Sequence, residues 1–274
     1  MSAVSEVIPR PAATVLLLRD GPSGLEVLMV TRNVASDFAS GALVFPGGRV
    51  DAADGEATTA ACCRAVAGVD AAAMALRAAG IRESFEEAHV LLARPKGDDR
   101  LLSAGALDAL EARLRARLGR EPHFQDLVAA GEIELATDLL VPFAHWITPV
   151  GPPKRFDTHF FLAPAPADQV AAHDGREAVD TIWIAPQKAV AEADAKRVTL
   201  VFATRMNLLK LAKSADLAGA LAAAERATIV TVSPELVDSP EGPLLRIPES
   251  AGYGLTEVRA DIAVRAGKPR ASGS

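Results

Sequence analysis

Ile81-Arg82-Glu83-Ser84-Phe85-Glu86-Glu87-Ala88 is the stretch of this chain whose reading decides the rest. Placed on an α-helix at about 100° per residue with Glu83 at the origin, Glu86 falls near about −60° and Glu87 near about +40°. Three carboxylates therefore share one stripe. Ile81, Phe85 and Ala88 fall at about 160°, 200° and 140°, on the opposite side. Such a helix buries one face and presents clustered acid on the other. Neighbouring carboxylates repel one another, and a hard divalent cation with its preference for oxygen ligands relieves that repulsion. Arg82, at about −100°, sits at the edge of the stripe and can orient a carboxylate by a salt bridge. An acidic helix face is more often simply solvated, so the company the stripe keeps has to decide. The helix is expected to start at the N-cap Asp70 and to run to about Ala88.

The company is a glycine loop upstream. Ala42 to Phe45 is a short apolar run that stops at Pro46-Gly47-Gly48 and continues through Arg49-Val50-Asp51. Two consecutive glycines after a strand let backbone N–H groups come close to an anion. Pro-Gly-Gly alone is also an ordinary turn. A glycine loop followed by an acidic helix that carries Arg-Glu is a much rarer combination.

Outward from these two segments the chain alternates strands and helices. Ala13–Leu18 and Leu25–Thr31 are expected strands, with Arg19-Asp20-Gly21-Pro22 turning between them. Asp51–Gly68 reads as a loop with some helix. Ser103 to about Leu118 reads as an amphipathic helix with Leu107, Leu110, Leu114 and Leu118 on one face. Its arginines (Arg113, Arg115, Arg117) and the following Arg120 are read as a solvated side rather than a phosphate site. Leu139–Ile147, Thr158–Ala163 and Ile182–Ala185 are expected strands, and Pro186 to about Ala224 a helical region. The class is mixed α and β.

Bulk properties narrow the function. The chain has 274 residues, half of them hydrophobic, with 29 basic against 35 acidic residues and a net charge of −6. That balance argues against a nucleic-acid-binding surface, though not against an anionic substrate, since a bound cation reverses the local sign. Cys62 and Cys63 are adjacent and suit neither a disulfide framework nor a zinc site; they read as small buried or half-buried residues. Met1–Pro11 has no apolar core of a signal peptide, and no apolar run approaches the roughly 18 residues that span a bilayer. The expectation is a cytoplasmic protein that engages no membrane. His123, His145, His159 and His173 show no metal-ligand spacing and receive no role.

The acidic helix resembles the Nudix box, G-x5-E-x7-R-E-U-x-E-E-x-G-U with U aliphatic. Arg82, Glu83, Glu86 and Glu87 fall on the R-E and E-E positions, Val90 on the last U and Gly48 on the leading glycine. Glu56 is the candidate for the first glutamate. His89 replaces the terminal glycine and Ser84 an aliphatic residue; histidine tolerates a left-handed turn better than most residues, so the helix stop is expected to survive. About 20 residues are inserted relative to the pattern between Gly48 and Arg82. That insertion, Gly41-Ala42-Leu43-Val44-Phe45-Pro46-Gly47-Gly48, Trp146-Ile147-Thr148-Pro149, Arg155 to Leu162, and Glu177 through Trp183 to Pro186 are similar to the branch of the peroxisomal coenzyme A diphosphatase and its bacterial relatives. Ser36 and Ser40 precede the glycines without the basic residues of the extended coenzyme A signature.

The resemblance implies an α+β fold, an α/β/α sandwich with a mixed β-sheet between helices and helical insertions. It implies a domain over 11–225 with inserts at about 52–70 and 97–135, after a disordered 1–10 and before an extension over 226–274 whose tail is partly disordered. It implies Mg2+ or Mn2+ held by Glu83, Glu86 and Glu87, with Arg82 in the catalytic set, and substrate contacts at Gly47, Gly48, Arg155 and Phe156. Arg155 reads equally well as a turn cap. Glu177 is the candidate base, or a plain surface carboxylate. The implied activity is hydrolysis of a diphosphate in a nucleoside diphosphate derivative. CoA or acyl-CoA comes first, giving adenosine 3′,5′-bisphosphate and 4′-phosphopantetheine, and ADP-ribose, a dinucleotide or a nucleotide sugar is the alternative. A non-catalytic nucleotide sensor is a remoter one. A homodimer is common in such proteins.

Overall fold

Twelve residues, Arg10–Gly21, form β1, and its stretch from Ala12 to Leu18 is buried without interruption. A strand with no exposed alternation must be covered on both faces, and this one lies inside the main sheet. The computed structural model describes residues 7–32, 42–150, 152–169, 171, 178–240 and 242–259. The expected disorder at residues 1–6 and 260–274, together with Ser36, Ser40, His173 and Glu177, lies outside them.

After β1 come β2 (Gly24–Arg32), β3 (Leu43–Val44) and β4 (Gly47–Arg49), then a 3-10 turn over Ala52–Gly55. Helices α1 (Ala57–Cys62) and α2 (Ala71–Ala88) precede β5 (Ala93–Pro95), α3 (Ala104–Leu118), α4 (Phe124–Ala130) and β6 (Ile133–Leu135). The chain continues through β7 (Val141–Ile147), β8 (Phe156–Pro164) and β9 (Ala178–Ile184) into α5 (Pro186–Asp194), α6 (Phe202–Leu211) and α7 (Leu217–Arg226). It ends with β10 (Thr231–Val232), β11 (Glu235–Val237), β12 (Leu244–Arg246) and β13 (Glu257–Arg259).

Eight strands form the main sheet in the order β10-β7-β8-β1-β2-β3, with β4 on β1 and β9 on β2. The β1–β8 and β10–β7 pairs are parallel and the others antiparallel, so the sheet is mixed. Ala13, Val15 and Leu17 of β1 pack on the side of α2, α3 and α4, whereas Leu16 and Leu18 pack with residues of α5, α6 and α7. The α/β/α sandwich expected from the sequence is the fold observed. Among the described residues no helix is long and apolar enough to cross a membrane.

The boundaries differ in instructive places. The strand expected from Leu139 begins at Val141, because Thr137–Leu139 form a 3-10 turn. Ala185 leaves β9 and serves as N-cap of α5. The helical region after Pro186 is three helices. Strands β5 and β6 and the β11-β12-β13 sheet escape a period-two reading because each has only three residues. Cys62 is buried and Cys63 half-buried, as read from sequence; burial pushes the Cys63 thiol up to about 12.

Helix α2 begins as expected, with the Asp70 side chain accepting from the Ala73 N–H at 2.8 Å. It lies close on β1 at Gly80, where an added Cβ would stand 2.8 Å from Val15 Cγ2. Gly80→Ala gains up to about 1 kcal/mol of helix propensity, but overpacking a filled core costs about 1–3 kcal/mol. The expected outcome in urea unfolding is a net loss of about 1 kcal/mol; equal or greater stability would show that this contact has slack.

Candidate active site on the glycine strand

The carboxyl-terminal half of α2 rests on β4, and two glycines make that contact feasible. A Cβ on Gly48 would lie 2.6 Å from the Glu83 carboxylate, and one on Gly47 would lie 2.4 Å from Thr14 Oγ1. Neither glycine has a positive φ, so close approach rather than an unusual backbone explains them. The anion that meets the Gly47 N–H is the Glu87 carboxylate, at 2.9 Å.

Arg82 organises the rest. It is buried, and its guanidinium makes a two-toothed contact with Asp54, Nε to Oδ1 at 2.8 Å and Nη2 to Oδ2 at 3.0 Å. Nη1 donates to both Glu83 Oε1 and Glu86 Oε2 at 2.8 Å, and Nη2 also donates to the Arg49 carbonyl at 2.8 Å. Burial disfavours the charge on Arg82, yet the hydrogen bond to Asp54 and the charges of Glu83, Asp54 and Glu86 outweigh it and raise the pKa. The arginine is therefore a fixed cation around which carboxylates are placed. Glu83 and Glu87 are buried, while the Glu86 side chain is 43% exposed and forms the open edge. The donor set is oxygen only and partly desolvated, and bare Gly48 lets the Glu83 carboxylate lie against the strand; such a set fits a hard divalent cation.

Asp54 corrects the sequence reading. Glu56 is exposed at the N-cap of α1 and does not reach this cluster. Asp54 is buried at the sixth position after Gly48, where the pattern has its first glutamate. Counting six onward while accepting the shorter acid would have found it. The inserted residues thus lie after Asp54, in α1 and the segment leading to α2.

His89 is the helix stop the sequence suggested, with φ of 53° and its N–H on the Phe85 carbonyl. Ser84 fits an apolar position because its hydroxyl turns back onto the Gly80 carbonyl at 2.9 Å. The His89 ring packs 5.2 Å from Phe85, and its Nε2 lies 3.4 Å from Glu111 of α3.

Arg155 immediately precedes β8 and Phe156 begins it. Arg155 is buried; its Nε donates to the Thr148 carbonyl at 3.0 Å and its Nη1 to the Val7 carbonyl at 2.8 Å. The Phe156 N–H donates to Thr148 Oγ1 at 3.0 Å. Trp146-Ile147-Thr148-Pro149 and Arg155-Phe156 thus clamp the β7–β8 connection.

Two histidines left without a role turn out to be neighbours. The β7–β8 register sets His145 opposite His159, and their rings stack at 4.1 Å. His145 Nε2 bonds Asp157 Oδ1, and His159 Nε2 is 3.9 Å from the same oxygen. Burial and the nearby His145 lower the pKa of His159. Nothing local in the sequence gives that register.

The NUDT19 Nudix domain family matches residues 65–204. Acyl-coenzyme A diphosphatase NUDT19 of Homo sapiens is 34% identical over 137 residues, which is 46% of this chain and 36% of that protein. The protein of the same name from Gallus gallus is 27% identical over 223 residues, 66% of this chain and 59% of its own length. The chain therefore spans less than two thirds of these curated relatives. A crystal structure of a NUDIX hydrolase from Alicyclobacillus acidocaldarius is similar with a TM-score of 0.61 and 28% identity, covering 79% of this chain and 96% of that one.

Two outcomes follow from the ion pairs. Asp54→Asn leaves part of the buried Arg82 charge uncompensated, and is expected to lower stability in thermal and urea unfolding by about 3 kcal/mol; a small change would mean that Glu83 and Glu86 suffice. The hydrogen bond to Glu111, partly opposed by burial, raises His89 above its ordinary 6.5. A raised folded value makes this pair's stabilisation complete below pH 6.5 and lost as pH climbs through the folded value. An NMR titration should find His89 raised in the native chain and brought down in Glu111→Gln.

Proposed function

Because the chain belongs to the NUDT19 Nudix domain family of Nudix hydrolases, we propose that it hydrolyses a diphosphate bond in a nucleoside diphosphate derivative, with CoA or acyl-CoA as substrate. The observation that carries the reaction is the Arg82-centred cluster on the glycine strand. The substrate rests on the name that the human and chicken relatives share, acyl-coenzyme A diphosphatase. The products are adenosine 3′,5′-bisphosphate and (acyl-)4′-phosphopantetheine.

Glu83, Glu86 and Glu87 are the residues that would hold Mg2+ or Mn2+. When bound, such an ion neutralises phosphate oxygens and lowers the pKa of a water. The chain's own residues do the rest. Arg82 fixes Glu83 and Glu86 by one shared nitrogen, the Gly47 N–H fixes Glu87, and bare Gly48 lets the Glu83 carboxylate lie against β4. Water adds to one phosphorus, its proton passes to a carboxylate, and the bond to the bridging oxygen breaks. Glu177, which precedes β9 in the sequence, and the carboxylates of α2 are the candidates for that proton. Arg155 serves as a positioning residue through the Thr148 and Val7 carbonyls, with half-buried Phe156 beside it as the surface for a base.

ADP-ribose, a dinucleotide or a nucleotide sugar is the alternative within the same chemistry. A purely sensing role is disfavoured by the intact Arg82, Glu83, Glu86 and Glu87 set. A cytoplasmic location and a homodimer belong to the same reading, to be checked by cell fractionation and light scattering.

Incubation with CoA in 18O-labelled water, followed by mass spectrometry, should give the two products with the label on one of them only, identifying the attacked phosphorus. Glu86→Gln and Glu87→Gln should each lower kcat/KM on the order of a hundredfold. A higher kcat/KM on ADP-ribose, a dinucleotide or a nucleotide sugar would transfer the assignment to that substrate. No turnover of any of them with either ion would end the hydrolase reading.

A further inference from the structure

The sheet register brings a second constellation onto the face that carries Glu83. His145 pairs with His159, His159 with Ala13, and Ala13 with Gly48. Residues directly opposite on neighbouring strands point to the same face, so these four form one row across β7, β8, β1 and β4. Gly48 ends the row against the Glu83 carboxylate. Asp157, two residues before His159, shares its face. Two strand spacings, about 10 Å, separate the His159 backbone from that of Gly48, and the only side chain between them in the row is the methyl of Ala13.

The chemistry of the cluster differs from that of the acidic one. Both imidazole Nε2 atoms turn to one Asp157 oxygen, and the three ligand atoms lie within 4.8 Å of one another. The other nitrogen of His145, Nδ1, is 2.8 Å from Thr231 Oγ1, so that ring is held by a hydroxyl at its far side. Metal-binding histidines are ordinarily oriented by such an outer partner. All three side chains are partly exposed, at 17% for His145, 36% for Asp157 and 37% for His159, so an ion can reach them from solvent. Two nitrogens and one oxygen suit borderline ions, whereas the oxygen-only cluster suits hard ones.

We propose that His145, Asp157 and His159 form a second divalent-cation site, selective for zinc- and cobalt-like ions over magnesium, one row across Ala13 from the Glu83–Glu86–Glu87 cluster. The ion enters between the Asp157 carboxylate and the two Nε2 atoms. Near-parallel rings do not hold one ion in both planes, so closure requires His159, the more exposed ring, to turn about its Cβ–Cγ bond. This site does not depend on the reaction proposed above. An occupied site would place positive charge on the same sheet face, two strands from the glycine-bearing β4, and so offers a second anchor for an anionic ligand.

The test uses the full chain carrying Glu86→Gln and Glu87→Gln, which removes carboxylates from the other cluster. Cobalt titrated into it, followed by visible absorption, and zinc followed by calorimetry should each give one site that excess magnesium does not displace. Adding His145→Ala or His159→Ala should abolish that site, and Thr231→Val should weaken it about tenfold to a hundredfold. The native chain gives a readout independent of variant folding: zinc should shift the Nε2 resonances of His145 and His159 together in long-range 1H–15N spectra. Asp157→Asn, which preserves shape, should remove that shift. Zinc or cobalt binding that persists undiminished without His145 and His159, or no joint Nε2 shift in the native protein, overturns the assignment.

Discussion

A guanidinium buried under a helix needs anions, and that demand shapes this site. Arg82 cannot leave the carboxylates around it without stranding its charge, a loss on the order of several kcal/mol. Asp54 takes two of its donors, Glu83 and Glu86 share a third group, and the Arg49 carbonyl completes the set. Each partner is thereby fixed in space. Glu87 is fixed separately, by the backbone of β4. Acid that would repel itself on a free helix is held together by a buried cation below and a glycine strand alongside.

This arrangement explains which parts were legible. Everything set by local periodicity could be read: the shared stripe of Glu83, Glu86 and Glu87, the Asp70 cap, and the left-handed stop at His89. These depend on residues three or four positions apart and on the backbone tolerance of one residue. The doubly buried β1 was also readable, because its run of apolar residues admits no solvent face. What could not be read depends on contacts distant in sequence. The spacing after Gly48 marks Asp54, but its pairing with Arg82, 28 positions away, is such a contact, and the His145–Asp157–His159 group exists only through strand register. Elements of three residues, such as β5 and β6, carry too few side chains to show a period.

The segment after α7 is bound into the same sheet. Strand β10 pairs in parallel with β7 and brings Thr231 to His145. Farther on, the buried Tyr253 hydroxyl accepts from Trp146 Nε1 at 2.8 Å and donates to Asn207 Oδ1 at 2.9 Å. Trp146 is in β7 and Asn207 in α6, so one tyrosine links the end of the described chain to the sheet and to the helical layer behind it. The burial of its polar group is made tolerable by those two bonds. The strand that presents His145 on one face is thus anchored on the other.

The inserted residues show how a site survives lengthening. In the box pattern the first acid and the arginine are eight positions apart, and here they are 28. Closing the longer loop costs only about 1 kcal/mol more, since the entropy grows with the logarithm of length. Breaking the buried Asp54–Arg82 pair would cost about 3–5 kcal/mol. The ion pair therefore wins over the loop. Helices α3 and α4 also contribute: Leu107, Leu110, Leu114, Phe124 and Leu127 pack in the cluster that contains Phe85 of α2. Extra chain around α2 thus adds apolar cover to the helix that carries the acids. The geometry at Arg82 persists because the contact that defines it is stronger than the cost of reaching it.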